Sequence, residues 1–288
     1  MTYDDFLNAA WADHGDRPEE VADRLPGAVA LMTAPGNVAS FASLVTHVLG
    51  EHLGQWQRAI DLLQSVRTSP VFEAGSAGDA SLNRNIAALG FAAGDTAALE
   101  SLSSEDRACA LAVAASAFAG RTEFKRAIAA YSDATAVARR GLPEKSPALR
   151  ALAIGGNNLA AALEEKKDRD AAETEGMIAA AEGGLEYWKQ AGTWLETERA
   201  EYRLARSQLQ AGKSQAAVDS AKRCVEVCEA NNAPAFEKFF AFAVLAMAHR
   251  AADDRKSFAE SRERALRELE QVPEEEKQWC ESDLKEIQ

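Results

Sequence analysis

Three arginines, Arg199, Arg203 and Arg206, fall at i, i+4 and i+7, so they share one stripe of any helix that carries them. Guanidinium groups in such a row grip carboxylates through forked pairs of N–H bonds, where lysine offers only a point charge. Tyr202 lies in the same segment. Asn157 and Asn158 stand together in a helix-like stretch, where asparagine is a poor helix former but its amide can pair with the backbone of an extended peptide. Arg84 and Asn85 place a guanidinium beside an amide again. The chemistry these residues suit is recognition of an acidic or carboxylate-bearing segment. Glu164 and Glu165 offer a second account, in which they neutralise the arginines as ordinary surface ion pairs.

The remaining reactive side chains are scattered. Cys224 and Cys228 share a helix face at i, i+4, yet no histidine or second cysteine pair stands at ligand spacing nearby, and core packing is expected of them. With Cys109 and Cys280 they are too few for a disulfide framework. His14 beside Gly15 reads as a helix-end residue and His249 as a packed core residue. His47 and His52 are five apart, the wrong spacing for one face of an α-helix. No glycine-rich phosphate loop follows a strand, and no Gly-x-Ser-x-Gly elbow occurs. The expectation is a non-enzymatic chain with no catalytic residues, no metal and no cofactor.

The elements that position these residues recur. Leu111 to Ala134 holds two short amphipathic patterns, Leu111-x2-Ala114-Ala115-x2-Phe118 and Ala127-x3-Tyr131-x2-Ala134, separated by eight residues. A small residue returns as Ala115, Ala160, Ala205 and Ala246, at steps of 45, 45 and 41. A second small slot follows twelve residues later as Ala127, Ala172 and Ala217, with Phe258 in the last copy. Leu159-Ala160, Leu204-Ala205 and Leu245-Ala246 repeat one core doublet. Gly212-Lys213 marks a turn, and Pro147 and Pro234 mark helix starts. Weaker copies precede these. Leu53-Gly54-Gln55-Trp56 begins a second helix, with His47 in the slot where a small residue is expected. Ile86-Ala87 leads to a short helix at Ala97–Leu102, and Arg67 to Asp79 reads as a long loop, an insertion or a lid.

This spacing resembles the tetratricopeptide repeat (TPR), in the long-helix form found in kinesin light chains. The resemblance implies an all-α fold, a right-handed superhelical solenoid of antiparallel helix hairpins. It also implies that each first helix lines a concave groove that holds a partner segment. In that register Arg84, Asn85, Asn157, Asn158, Arg199, Tyr202, Arg203 and Arg206 face the groove. Asn158 with Arg199 and Arg203 resembles part of the carboxylate clamp of chaperone-binding members, but Ala112 and Ser116 stand where that clamp has lysine and asparagine.

Residues 1–38 are expected to cap the array, with Asp16 as helix N-cap and Pro26-Gly27 interrupting a helix. Residues 39–272 form about six units, the first two degenerate, and 273–288 make a C-terminal capping helix. Tryptophans 56, 188, 194 and 279 read as helix-end or core residues.

Bulk properties agree with this reading. The 288 residues are 47% hydrophobic but only 7% aromatic, and they carry a net charge of −13. Many small side chains suit close helix packing, and the acidic balance disfavours nucleic acid and anionic membrane. No apolar run reaches the ~20 residues of a membrane span, and no signal peptide is visible, so a cytoplasmic setting is expected. The expected role is a scaffold that binds a protein or peptide. The alternative is a bacterial-like, peptide-sensing regulator whose repeats change curvature on binding.

Overall fold

The computed structural model describes residues 1–288 as fourteen α-helices joined by turns, with no β-strand. They form two compact units, Met1–Gly155 and Gly156–Gln288. The first holds α1 (Tyr3–Asp13), α2 (Pro18–Ala28), α3 (Asn37–Val45), α4 (Trp56–Ser65), α5 (Ala77–Ala92), α6 (Ser104–Gly120) and α7 (Phe124–Ala138). The chain continues through α8 (Pro147–Glu165) into α9 (Ala171–Ala191), α10 (Trp194–Gln210), α11 (Ser214–Ala230), α12 (Ala235–Ala251), α13 (Arg255–Leu269) and α14 (Lys277–Glu286). In the first unit α5 packs on α6 and α6 on α7. In the second, each helix from α9 to α12 packs on the next, and α14 packs on α12. Alternate helices also touch, α3 with α5 and α10 with α12. No helix is long and apolar enough to cross a membrane.

The recurring alanines are what let these helices nest. Ala115, Ala160, Ala205 and Ala246 are all 0% exposed, as expected where helix axes approach closely over small side chains. The second slot holds for Ala127 and Ala217, both fully buried, but Ala172 is exposed. The turn lengths give the reason. Residues 121–123, 211–213 and 252–254 make three-residue turns, whereas 166–170 makes a five-residue turn that shifts α9 by two positions. Glu173 is buried there instead, held by Lys166 and by the capping box with Asp170.

Other expectations near the N-terminus are corrected. Arg17, not Asp16, is the N-cap of α2, and it makes no side-chain cap bond. Pro26 lies inside α2 rather than breaking it. Its missing N–H frees the carbonyl one turn back, and Arg58 Nη2 donates to that Ala22 oxygen at 3.2 Å. The second copy's short helix is a 3-10 turn at Thr96–Leu99. Residues 67–79 are pinned in place: Arg67 pairs with Asp79 at 3.1 Å and lies over the Phe72 ring, and Gly75 N donates to Asp79 at 2.9 Å.

All four cysteines are free and buried. Cys224 and Cys228 pack in the core of the second unit, as expected. Burial pushes the Cys109 thiol up to about 12 and the Cys280 thiol up to about 11, and those of Cys224 and Cys228 rise for the same reason.

Left-handed backbone closes the hairpin turns. The position is glycine at Gly212 (φ 70°), but Thr122 (φ 59°) and Asp253 (φ 57°) occupy the matching turns. A β-branched residue is strained there. Thr122→Gly is expected to stabilise the chain by about 0.5–1 kcal/mol, and Ala205→Leu to destabilise it by about 1–3 kcal/mol through overpacking. Urea denaturation of the two variants checks both signs.

Candidate functional site

The arginine stripe lies on α10, which opens with a capping box between Thr193 and Glu196. Its members differ in exposure: the side chains of Arg199, Arg203 and Arg206 are 57%, 26% and 17% accessible. Each has a carboxylate partner. Arg199 binds Glu237 of α12 through two N–H groups, a forked contact. Arg203 pairs with Glu164 of α8, which also accepts from Ser207 Oγ at 2.6 Å. Arg206 reaches α14, with Nη2 2.7 Å from Glu286 and Nη1 3.7 Å from Asp283. Tyr202 Oη donates to Asp283 at 2.6 Å. The stripe therefore does bind carboxylates, and these belong to the chain itself.

Between α10 and α12 a groove of about 560 Å³ remains open. It is lined by Asn157, Glu198, Arg199, Tyr202, Arg203, Phe236, Glu237, Phe240 and Trp279. Four of the eight residues expected to form a site, Asn157, Arg199, Tyr202 and Arg203, thus meet in one place. Asn158 is exposed but does not line the groove, and Arg206 is taken up with α14. In the first unit, Arg84 pairs with Asp106 at 2.9 Å, while Asn85 is buried and donates to the Ser81 carbonyl at 2.9 Å.

Of the groove's aromatic members Tyr202 was anticipated, whereas Phe236, Phe240 and Trp279 were not. Trp279, read from sequence as a helix-end or core residue, is 68% exposed. Tyr202 and Phe236 both stand edge-on to Phe240, with centroids 5.8 and 5.1 Å away. A signal for Phe240 existed, because it follows Arg199 by 41 residues, the last repeat step. Carrying the Arg199 position forward by one repeat lands on it.

Glu198 is 1% exposed and lies against Glu237. Burial first, then the neighbouring negative charge, pushes its carboxyl up to about 8. Its Oε1 accepts from the Cys224 thiol at 3.0 Å, while Oε2 is buried without a hydrogen-bond partner. Burial likewise raises Glu164 and Asp283, against the pull of Arg203 on the first and of Tyr202 and Arg206 on the second. Arg203 Nε is buried without a hydrogen-bond partner.

A raised carboxyl has a signed consequence. The unfolded chain releases the Glu198 proton near pH 4.5, while the folded chain holds it to about 8. The stability it contributes is complete below pH 4.5 and is lost as pH rises from there through 8. Glu198→Gln keeps a neutral hydrogen-bonding group that never ionises. Between about pH 6 and 9 the variant is expected to lose less stability than wild type, by about 2 kcal/mol, measured as denaturation midpoints across that range.

Neither a protein-family model nor a curated protein matches the sequence. Solved structures do. A crystal structure of nearly identical TPR-like repeats from a kinesin light chain of Podosopora anserina aligns with a TM-score of 0.50 at 18% identity. That alignment covers 82% of this chain and 97% of the other. A single-substitution form of the same repeats aligns at 0.51 and 17% identity, covering 83% and 97%. The order of paired helices, the buried alanine slots and this likeness agree: the chain has the fold of the TPR-like helical repeats.

Proposed function

We propose that this chain is a protein-interaction module. Its α10–α12 groove takes a partner segment that carries a large apolar side chain and a carboxylate. The observation that carries this reading is the presence on one groove of Phe236, Phe240 and exposed Trp279 with Arg199, whose side chain is 57% accessible while it also holds Glu237. Aromatic and arginine side chains are the anchors that most often dominate binding energy at interfaces. Asn157 adds an amide on the same wall, suited to an extended backbone. Fold-level analogy points the same way, since helical repeats offer broad binding surfaces. Catalysis forms no part of this reading. A net charge of −13 argues against nucleic acid or an anionic membrane as the partner.

Selection of a random displayed peptide library against the intact chain tests the proposal. The enriched peptides are expected to share an aromatic or long aliphatic residue and an acidic group. Trp279→Ala and Arg199→Ala, each checked for wild-type helicity by circular dichroism, are each expected to weaken binding at least about tenfold. Enriched peptides that bind both variants as tightly as wild type would overturn it.

A further inference from the structure

Three of the four histidines gather at one place in the first unit. His14 caps the C-terminal end of α1, and His47 and His52 lie in the segment Thr46–His52 that continues α3. On an α-helix, residues five apart point about 140° away from each other. Thr46–His52, however, is wound as a π-helix, whose wider turn puts i and i+5 on one face. The ring centroids of His47 and His52 are 4.7 Å apart, and His14 lies 4.8 Å from His47 and 5.3 Å from His52. The spacing that separates this pair in an α-helix is the one that joins it here.

The ring nitrogens are set for a common ligand. His47 Nδ1–H donates to the Glu51 carboxylate at 2.8 Å, and His14 Nδ1–H to the Trp11 carbonyl at 2.6 Å. Each bond fixes the tautomer that leaves Nε2 unprotonated, the arrangement that orients metal-binding imidazoles. His52 Nε2–H donates to His47 Nε2 at 3.1 Å, a bond that a shared cation would replace, and candidate ligand nitrogens of all three residues lie within 4.8 Å of one another. Zinc–nitrogen bonds of about 2.0–2.1 Å put tetrahedral ligand nitrogens about 3.3 Å apart. The His47–His52 pair already meets that spacing, and a small shift of His14 at a helix end completes the triad.

The surroundings support the arrangement. Gly120 at the end of α6 has no side chain where a Cβ would collide with Glu51, so α6 closes in behind that carboxylate. Arg121 donates to the His52 carbonyl and anchors the end of the π turn. All three rings remain partly exposed, which leaves an entry path.

We propose that His14, His47 and His52 bind one divalent transition-metal ion of the zinc class through their imidazole nitrogens. Three imidazoles without a thiolate suit zinc, nickel or copper rather than calcium or magnesium. A fourth coordination position is left for water or for a donor from another molecule.

Calorimetric titration of the metal-stripped full chain with zinc chloride tests this. About one equivalent is expected to bind, and Glu51→Gln to weaken binding about tenfold. A His14→Gln, His47→Gln double variant should lose the site, while His14→Gln alone, at a helix end, guards against a folding artefact. Circular dichroism without metal verifies each fold. Trp11 gives an independent readout, since its ring centre lies 5.1 Å from that of His14 and 5.2 Å from that of His47. Cobalt should quench its emission in wild type, and Trp11→Phe should remove that quenching. Zinc binding of equal strength in wild type and double variant would assign the ion to surface carboxylates and overturn the proposal. So would no binding at about 100 μM, a concentration weak for any three-imidazole site.

Discussion

Close approach of helices over alanine is the constraint on which everything else in this chain rests. With 7% aromatic residues the chain has few large side chains with which to fill wide gaps between helices. Its fully buried Ala115, Ala160, Ala205 and Ala246 remove the gaps instead, so backbones approach and dispersion contacts accumulate over many small surfaces. Nearness has a polar cost. Carboxylates that would be solvated on looser helices are drawn under cover, as Glu164, Glu173, Glu198, Glu201 and Glu237 are, and each then needs a partner. Lys189 and Arg223 meet Glu201, both at 3.1 Å, and the arginine stripe of α10 meets four more acids.

What was legible in the sequence follows from range. The alanine slots and the paired helices recur with a local period, so they could be read directly. The slot at Ala172 failed because two extra turn residues shift a register without altering composition. The chemistry of Arg199, Arg203 and Arg206 was equally legible, since one stripe of guanidinium groups suits carboxylates. Their partners were less so. Glu164 was within reach of a repeat argument, but Glu286 lies 80 residues from Arg206 and Asp283 81 from Tyr202, on a C-terminal helix whose docking face no periodicity announces.

The histidines fail for a different reason. His47 and His52 were set apart by a correct rule for the wrong helix. The π turn that unites them leaves no compositional mark, although Gly50 within it shows why tight packing is possible there: a Cβ would lie 2.9 Å from Leu89 and 3.4 Å from Trp56. His14 joins them from another helix, which no local pattern can reveal. Periodicity reports the fold where the winding is regular and falls silent where the winding changes, and such departures are frequent at functional sites.

The sealed thiols carry one last implication. Every cysteine is enclosed, and burial holds each in the unreactive thiol form. Alkylating agents and disulfide exchange therefore find no exposed thiol on the native molecule, and no disulfide is there for a reducing environment to break.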